Sequence, residues 1–155
     1  MKILQLTAHF SPNIGGVETH LNDLCHFLTK KGFKVTVLTY IPLHTNASWK
    51  IFEQKKDLDI IRIPWVPNLF YRLIKVPVLE FLYLLPGLFV FTPIILLIKS
   101  PNVIQAHGLV AGFVGVFWGK IFGKRVIVTT HSIYNFPKSG LYRNFVKWIF
   151  SNSSF

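Results

Sequence analysis

Two adjacent glycines, Gly15 and Gly16, close the segment His9-Phe10-Ser11-Pro12-Asn13-Ile14-Gly15-Gly16 and lead straight into Val17-Glu18-Thr19-His20-Leu21. Glycines between a strand and a helix let backbone approach a ligand closely, and the free amides of a helix N-terminus favour an anionic group such as a phosphate. The same pair also serves a plain tight turn. Gly-x-Gly-x-x-Gly is absent, so this is not a dinucleotide fingerprint. Glu18 and His20 fall in the first helical turn, within reach of the same ligand, although Glu18 is equally a favourable charge at a helix N-terminus. Two further histidines, His107 and His131, each follow a β-prone run, Asn102–Ala106 and Val126–Thr130. An imidazole at a strand's carboxyl end can exchange a proton near neutral pH, or can simply be hydrogen-bonded into the strand terminus.

The elements that position these residues alternate. Lys2–Thr7 reads as a short buried strand, and Ala8–Gly16 as a loop. From Val17, apolar residues at 21, 24, 27 and 28 trace a helical face that Lys30, Lys31 and Gly32 terminate. Lys34–Tyr40 then completes a strand–helix–strand unit of the kind that makes a right-handed parallel crossover. Leu58–Ile63, Asn102–His107 and Lys124–His131 are the third, fourth and fifth strands. Leu109–Phe122, with Gly112, Gly115 and Gly119, predicts a tightly packed helix, and Leu141, Phe145, Trp148 and Ile149 share one apolar helical face. This pattern predicts a single domain over 1–155, a doubly wound parallel α/β sheet whose ligands sit beyond the carboxyl ends of the strands.

Half of the 155 residues are hydrophobic, and the net charge is +11 with only six acidic side chains. That excludes a disordered chain and favours anionic partners. The basic residues are spread along the chain and not clustered with stacking aromatics, so nucleic acid is not expected. A single cysteine, Cys25, excludes a disulfide framework and fits a reducing, cytoplasmic setting. Phe81–Ile98 carries no charge and is long enough to suggest a membrane span. A single crossing would put the strands on either side of it on opposite faces of the bilayer, and Pro86-Gly87 and Pro93 interrupt it. Segment 69–98 therefore reads either as a buried crossover helix pair or as an apolar hairpin. The hairpin, flanked by Arg62, Arg72 and Lys75 and by Trp65, Tyr71 and Tyr83, would lie in an anionic leaflet.

The run Phe10-Ser11-Pro12-Asn13-Ile14-Gly15-Gly16-Val17-Glu18-Thr19-His20-Leu21, followed by Leu28-Thr29-Lys30-Lys31-Gly32-Phe33-Lys34-Val35, resembles the amino-terminal signature of family-4 glycosyltransferases. Asn102–Gly108 and Val126–His131 resemble that family's fourth and fifth strands, so the likeness covers nearly the whole chain. The resemblance implies the N-terminal half of a GT-B fold: two Rossmann-like domains, the acceptor held mainly by the N-terminal one and the activated sugar by a C-terminal donor-binding domain in cis or in trans. It implies transfer of a sugar from a nucleotide-sugar donor to an acceptor hydroxyl, with retention at the anomeric carbon and no metal. Gly15 and Gly16 would approach the donor phosphates and His131 would act in catalysis, with His107, Glu18 and His20 as further binding residues.

Asp57-Leu58-Asp59 has the form of a metal and diphosphate motif but precedes an apolar strand beside Lys55 and Lys56, which marks it as solvated. No His-x-x-x-His pair accompanies the single cysteine, so no metal site is expected. The apolar stretch and basic residues suggest a lipid-linked or membrane-proximal acceptor on the cytoplasmic face. A chain of this length is incomplete as a transferase, and a non-catalytic membrane-associated subunit is the alternative reading.

Overall fold

Aliphatic residues on both faces place strand β1 (Lys2–Thr7) at the centre of the sheet, where all but its first residue are buried. The chain continues through α1 (Gly16–Lys30), β2 (Lys34–Tyr40), β3 (Phe52–Lys55), β4 (Leu58–Ile63), α2 (Pro77–Lys99), β5 (Val103–His107), α3 (Leu109–Ile121), β6 (Arg125–Thr129) and α4 (Leu141–Ser151). The computed structural model describes residues 1–43, 45, 47–66, 77–131 and 140–154. The six strands form one sheet in the order β3-β4-β2-β1-β5-β6, parallel except for β3. This is the expected doubly wound α/β architecture.

Side-chain alternation sorts the strands onto two faces. Val35, Val37, Leu58 and Ile60 pack with Leu21 and Cys25 of α1. Leu4, Leu6, Leu38, Ile104 and Ala106 pack with Leu84 and Leu88 of α2 and Val114 of α3. Cys25 is fully buried, and burial pushes its thiol up to about 12, so it is a small core hydrophobe and not a reactive thiol. The glycines of α3 lie against the sheet: a Cβ on Gly115 would sit 3.1 Å from Ala106 Cβ, and one on Gly119 would collide with Val126.

Two features differ from the sequence expectation. Strand β3 was not anticipated, because its four residues, Phe-Glu-Gln-Lys, carry no apolar alternation. It is held instead as the antiparallel edge partner of β4 through a turn at Lys56-Asp57, and by Arg62. The second concerns the apolar stretch, which is one helix of 23 residues and neither a helix pair nor a hairpin. Pro86 and Pro93 lie inside it, and side chains from β2 and α3 bond backbone groups beside each. The Tyr40 hydroxyl inserts between Leu84 O, to which it donates, and Leu88 N, 3.0 Å away, from which it accepts. Gly87 makes the room, since a Cβ there would lie 2.5 Å from the Tyr40 oxygen. Pro93 leaves the Phe89 carbonyl without its helical donor, and the Trp118 indole N–H replaces it at 2.9 Å.

The span Val78–Lys99 is long and apolar enough to cross a membrane, with 33% of its 18-residue apolar stretch buried in the domain. Val78, Leu82, Val90, Ile94, Leu97 and Ile98 are exposed. With exposed Pro86 between Leu82 and Val90, steps of four along 78, 82, 86, 90 and 94 followed by 97 and 98 put them on one outward stripe roughly 30 Å long. Arg62 does not flank this stripe as a free cation, because it is buried and paired with Glu53 at 2.5 Å. Trp65 and Tyr83 are packed against the core, while Tyr71, Arg72 and Lys75 lie outside the described residues.

Candidate functional site

The loop from β1 to α1 is pinned before it reaches its glycines. Phe10 is buried in the α1-side core, and Arg62 Nη2 donates to the Ser11 carbonyl at 2.7 Å while its Nη1 bonds Glu53. Gly15 has an extended backbone, φ 177°, and accepts the first helical bond from Thr19 N at 3.0 Å. Space around a Cβ at Gly16 is open, whereas one at Gly15 would meet the Glu18 carboxylate. The amides at the start of α1 therefore have no side chain in front of Gly16, and their hydrogen-bonding capacity is unused by the helix. Glu18 is buried close to Gly15, and His20 is exposed one turn on.

The histidines come together. His107 ends β5 and His131 follows β6 by two residues, so the parallel pairing of these strands brings the rings side by side. His107 Nδ1 is 3.0 Å from His131 Nε2, and the rings stack with centroids 5.2 Å apart. His20 meets His131 edge-on at 5.4 Å. Behind them, His107 Nε2 is 2.7 Å from Gln5 Oε1, and Gln5 Nε2 donates to Gln105 Oε1 at 3.0 Å. Gln5, Gln105 and His107 share the α1 face of the sheet by alternation. Gly108, with φ +85°, turns the chain at once from His107 into α3, a conformation that favours glycine.

This chain of bonds fixes protons. With its amide nitrogen committed to Gln105, Gln5 offers oxygen to His107, so His107 carries its proton on Nε2. Its Nδ1 must then accept, and His131 donates from Nε2, which leaves His131 Nδ1 as an acceptor. Burial, reinforced by the neighbouring His131 and His20, pushes the His107 pKa down to about 3. His131 is also lowered, by burial first and then by His20, with Glu18 opposing. Both rings are neutral at pH 7, and His131 keeps a lone pair on Nδ1.

A cavity of about 560 Å³ opens beside His107 and His131. Its walls come from the ends of β1 and β5 and from the first turns of α2, α3 and α4, including Val78, Phe81, Leu82, Leu109 and Phe145. The apolar walls surround one carboxyl, that of Glu80. Sequence reasoning passed over Glu80, yet it is the only acidic residue beyond Asp59, and a lone carboxyl at the edge of an apolar run was a signal. Gln5 and Gln105 were also passed over, although each interrupts an aliphatic strand. Of the residues singled out by sequence, His131 and His107 line this cavity. His20 and Glu18 approach His131 from α1, and Gly15 and Gly16 begin that helix.

Asp57 and Asp59 lie at the amino end of β4, remote from the strand carboxyl ends. Lys99 Nζ bonds Asp59 at 2.7 Å.

Comparison with known proteins places this geometry in a family. The family model described as Glycosyltransferase Family 4 matches residues 14–154. A phosphatidylinositol N-acetylglucosaminyltransferase component from Arabidopsis thaliana is 26% identical over 145 residues, covering 90% of this chain and 29% of that protein. Among solved structures, sucrose-phosphate synthase from Thermosynechococcus elongatus superposes with a TM-score of 0.70 at 17% identity, over 98% of this chain and 40% of that one. The catalytic domain of Starch Synthase IV from Arabidopsis thaliana, bound to ADP and acarbose, gives 0.55 at 15% identity, over 84% and 34%. These structural neighbours are GT-B glycosyltransferases. The chain thus spans 29–40% of the length of these three proteins. With the family model covering nearly all of a six-stranded Rossmann-like domain, this chain belongs to glycosyltransferase family 4.

Proposed function

We propose that this chain is the acceptor-side domain of a retaining transferase that moves a sugar from a nucleotide-sugar donor to a hydroxyl of a lipid-linked acceptor. The observation that carries the reading is the cavity beside His131. It is polar at Thr7, His107 and His131 and apolar toward Val78 and Leu82, which also belong to the exposed stripe of α2. An amphiphile entering along that stripe would bring its headgroup to the histidines. A lipid acceptor is also what the name of the Arabidopsis relative describes. The donor phosphates would lie at the amides of Gly16 and its neighbours, beside His20 and Glu18, against a donor-binding domain supplied in cis or in trans. No metal enters this scheme. The apolar stripe and the net charge of +11 favour a peripheral position on the cytoplasmic face of an anionic membrane.

The test joins this domain to a donor-binding partner and follows sugar transfer from uridine-diphosphate sugars to vesicles containing phosphatidylinositol. Transfer is expected, with kcat reduced about a hundredfold or more in His131→Ala, the scale for removing a polar group that acts on the reacting centre. Vesicle binding without transfer would replace this reading with that of a non-catalytic membrane-associated subunit.

A further inference from the structure

The carboxyl of Glu80 has no obvious purpose in the fold. It sits in the first turn of α2, half-buried in the apolar wall of the cavity. Glu53 and Asp59 each hold a cation, Arg62 and Lys99. Among the described residues Glu80 has neither an ion pair nor a hydrogen bond, and burial raises its carboxyl above the ordinary value. A favourable interaction with the helix N-terminus needs only an exposed side chain, so it does not explain a carboxyl turned into an apolar cavity. Such a group has water and no described protein group as its donor, and a bound molecule can supply donors in place of that water.

We propose that Glu80 is the headgroup-binding carboxylate of this cavity, and that the ligand it selects is an amphiphile whose headgroup ends in an uncharged polyhydroxylated ring. The identification of that ligand as the acceptor rests on the transferase reading above. A carboxylate accepts hydrogen bonds through two oxygens, so two neighbouring hydroxyls of a sugar or cyclitol satisfy it together. The hydrocarbon part lies along Phe81, Leu82, Leu109 and Phe145, the surface that would otherwise face water. The same carboxylate disfavours an anionic group at that position through like-charge repulsion. Any phosphate of the ligand therefore sits away from Glu80. His131, on the same cavity, is left to meet the hydroxyl that reacts.

The experiment measures binding and needs no transfer. The chain is titrated with octyl β-D-glucopyranoside below its micelle-forming concentration, then with octyl phosphate, while the ring signals of His131 and the methyl of Ala111 are followed by NMR. Octyl glucoside is expected to shift both signals. Glu80→Gln should weaken it about tenfold, the scale of a hydrogen bond to a charged group, and should tighten octyl phosphate. Glu80→Asp, which keeps the charge but shortens the reach, should weaken the glucoside and still reject the phosphate. Circular dichroism verifies that each variant is folded. Glucoside affinity unchanged within twofold in both variants, or shifts confined to residues outside the cavity, overturns the proposal. Failure of sugar transfer with this binding pattern intact would overturn the transferase reading and leave Glu80 in its role.

Discussion

His107 Nδ1 and His131 Nε2 lie 3.0 Å apart at the ends of two adjacent parallel strands, and only one of these nitrogens can carry the shared proton while both rings are neutral. Gln5, bonded to His107 on its other side, decides which. At pH 7.5 the ring nitrogen spectrum of His131 is therefore expected to show a protonated Nε2 and an unprotonated Nδ1. Gln5→Leu removes the acceptor for His107 and should give a mixture of tautomers at both rings. An unmixed Nδ1-protonated His131 in the unaltered chain would contradict the assignment.

Burial of His107 as a neutral ring makes stability depend on pH. The unfolded chain takes up a proton near pH 6.5, whereas the folded chain resists until about 3, so this contribution is complete above pH 6.5 and lost as pH falls toward 3. Between pH 7.5 and 5 the loss should be roughly 2 kcal/mol, at about 1.4 kcal/mol per unit. Urea midpoints for the unaltered chain and His107→Gln at both pH values isolate it, and the difference between the two chains should shrink at pH 5.

Gly87 and Tyr40 act as a pair. Gly87→Ala places a methyl where the Tyr40 hydroxyl stands, and Tyr40→Phe removes the hydroxyl that ties Leu84 O and Leu88 N to β2. Each should destabilise by about 1–3 kcal/mol. The double variant should cost clearly less than the sum, because either change alone already empties the same contact. Additive costs in a chemical-denaturation cycle would mean that the hydroxyl does not hold the helix.

Arg62 ties the glycine loop to the sheet edge through Ser11 and Glu53. Arg62→Ala strands the Glu53 carboxylate and frees the loop, at a cost of about 3–5 kcal/mol. Replacing both Arg62 and Glu53 by methionine should recover much of that stability. Amide exchange across Ala8–Gly16 should nevertheless remain fast, since the Ser11 contact is still missing.

The strands that build the site were legible because each is a compact aliphatic run closed by a turn, and the third, Leu58–Ile63, falls where sequence put it. Side-chain type and position at strand ends were enough to mark His107 and His131. Their mutual contact was not legible, because it depends on the register of β5 against β6 across 24 residues of chain. Strand β3 was hidden because an edge strand of polar residues owes its conformation to its partner. The two prolines misled in the other direction: a local rule says they break a helix, and distant residues, Tyr40 and Trp118, overrule it. Glu80 was readable as an oddity of composition, but its place in a cavity needed three helix ends brought together.

Those bonds from Tyr40 and Trp118 make α2 part of the domain's own wiring, not a rod leaning on it. Pulling the helix away would break the Tyr40 bridge to Leu84 O and Leu88 N and would orphan Phe89 O, the last at roughly 1–3 kcal/mol. Its greasy outer stripe is thus a keel fixed to a hull. Whatever surface the stripe settles on, the whole domain settles with it, and the mouth of the cavity at Val78 and Leu82 is carried at a constant height above that surface.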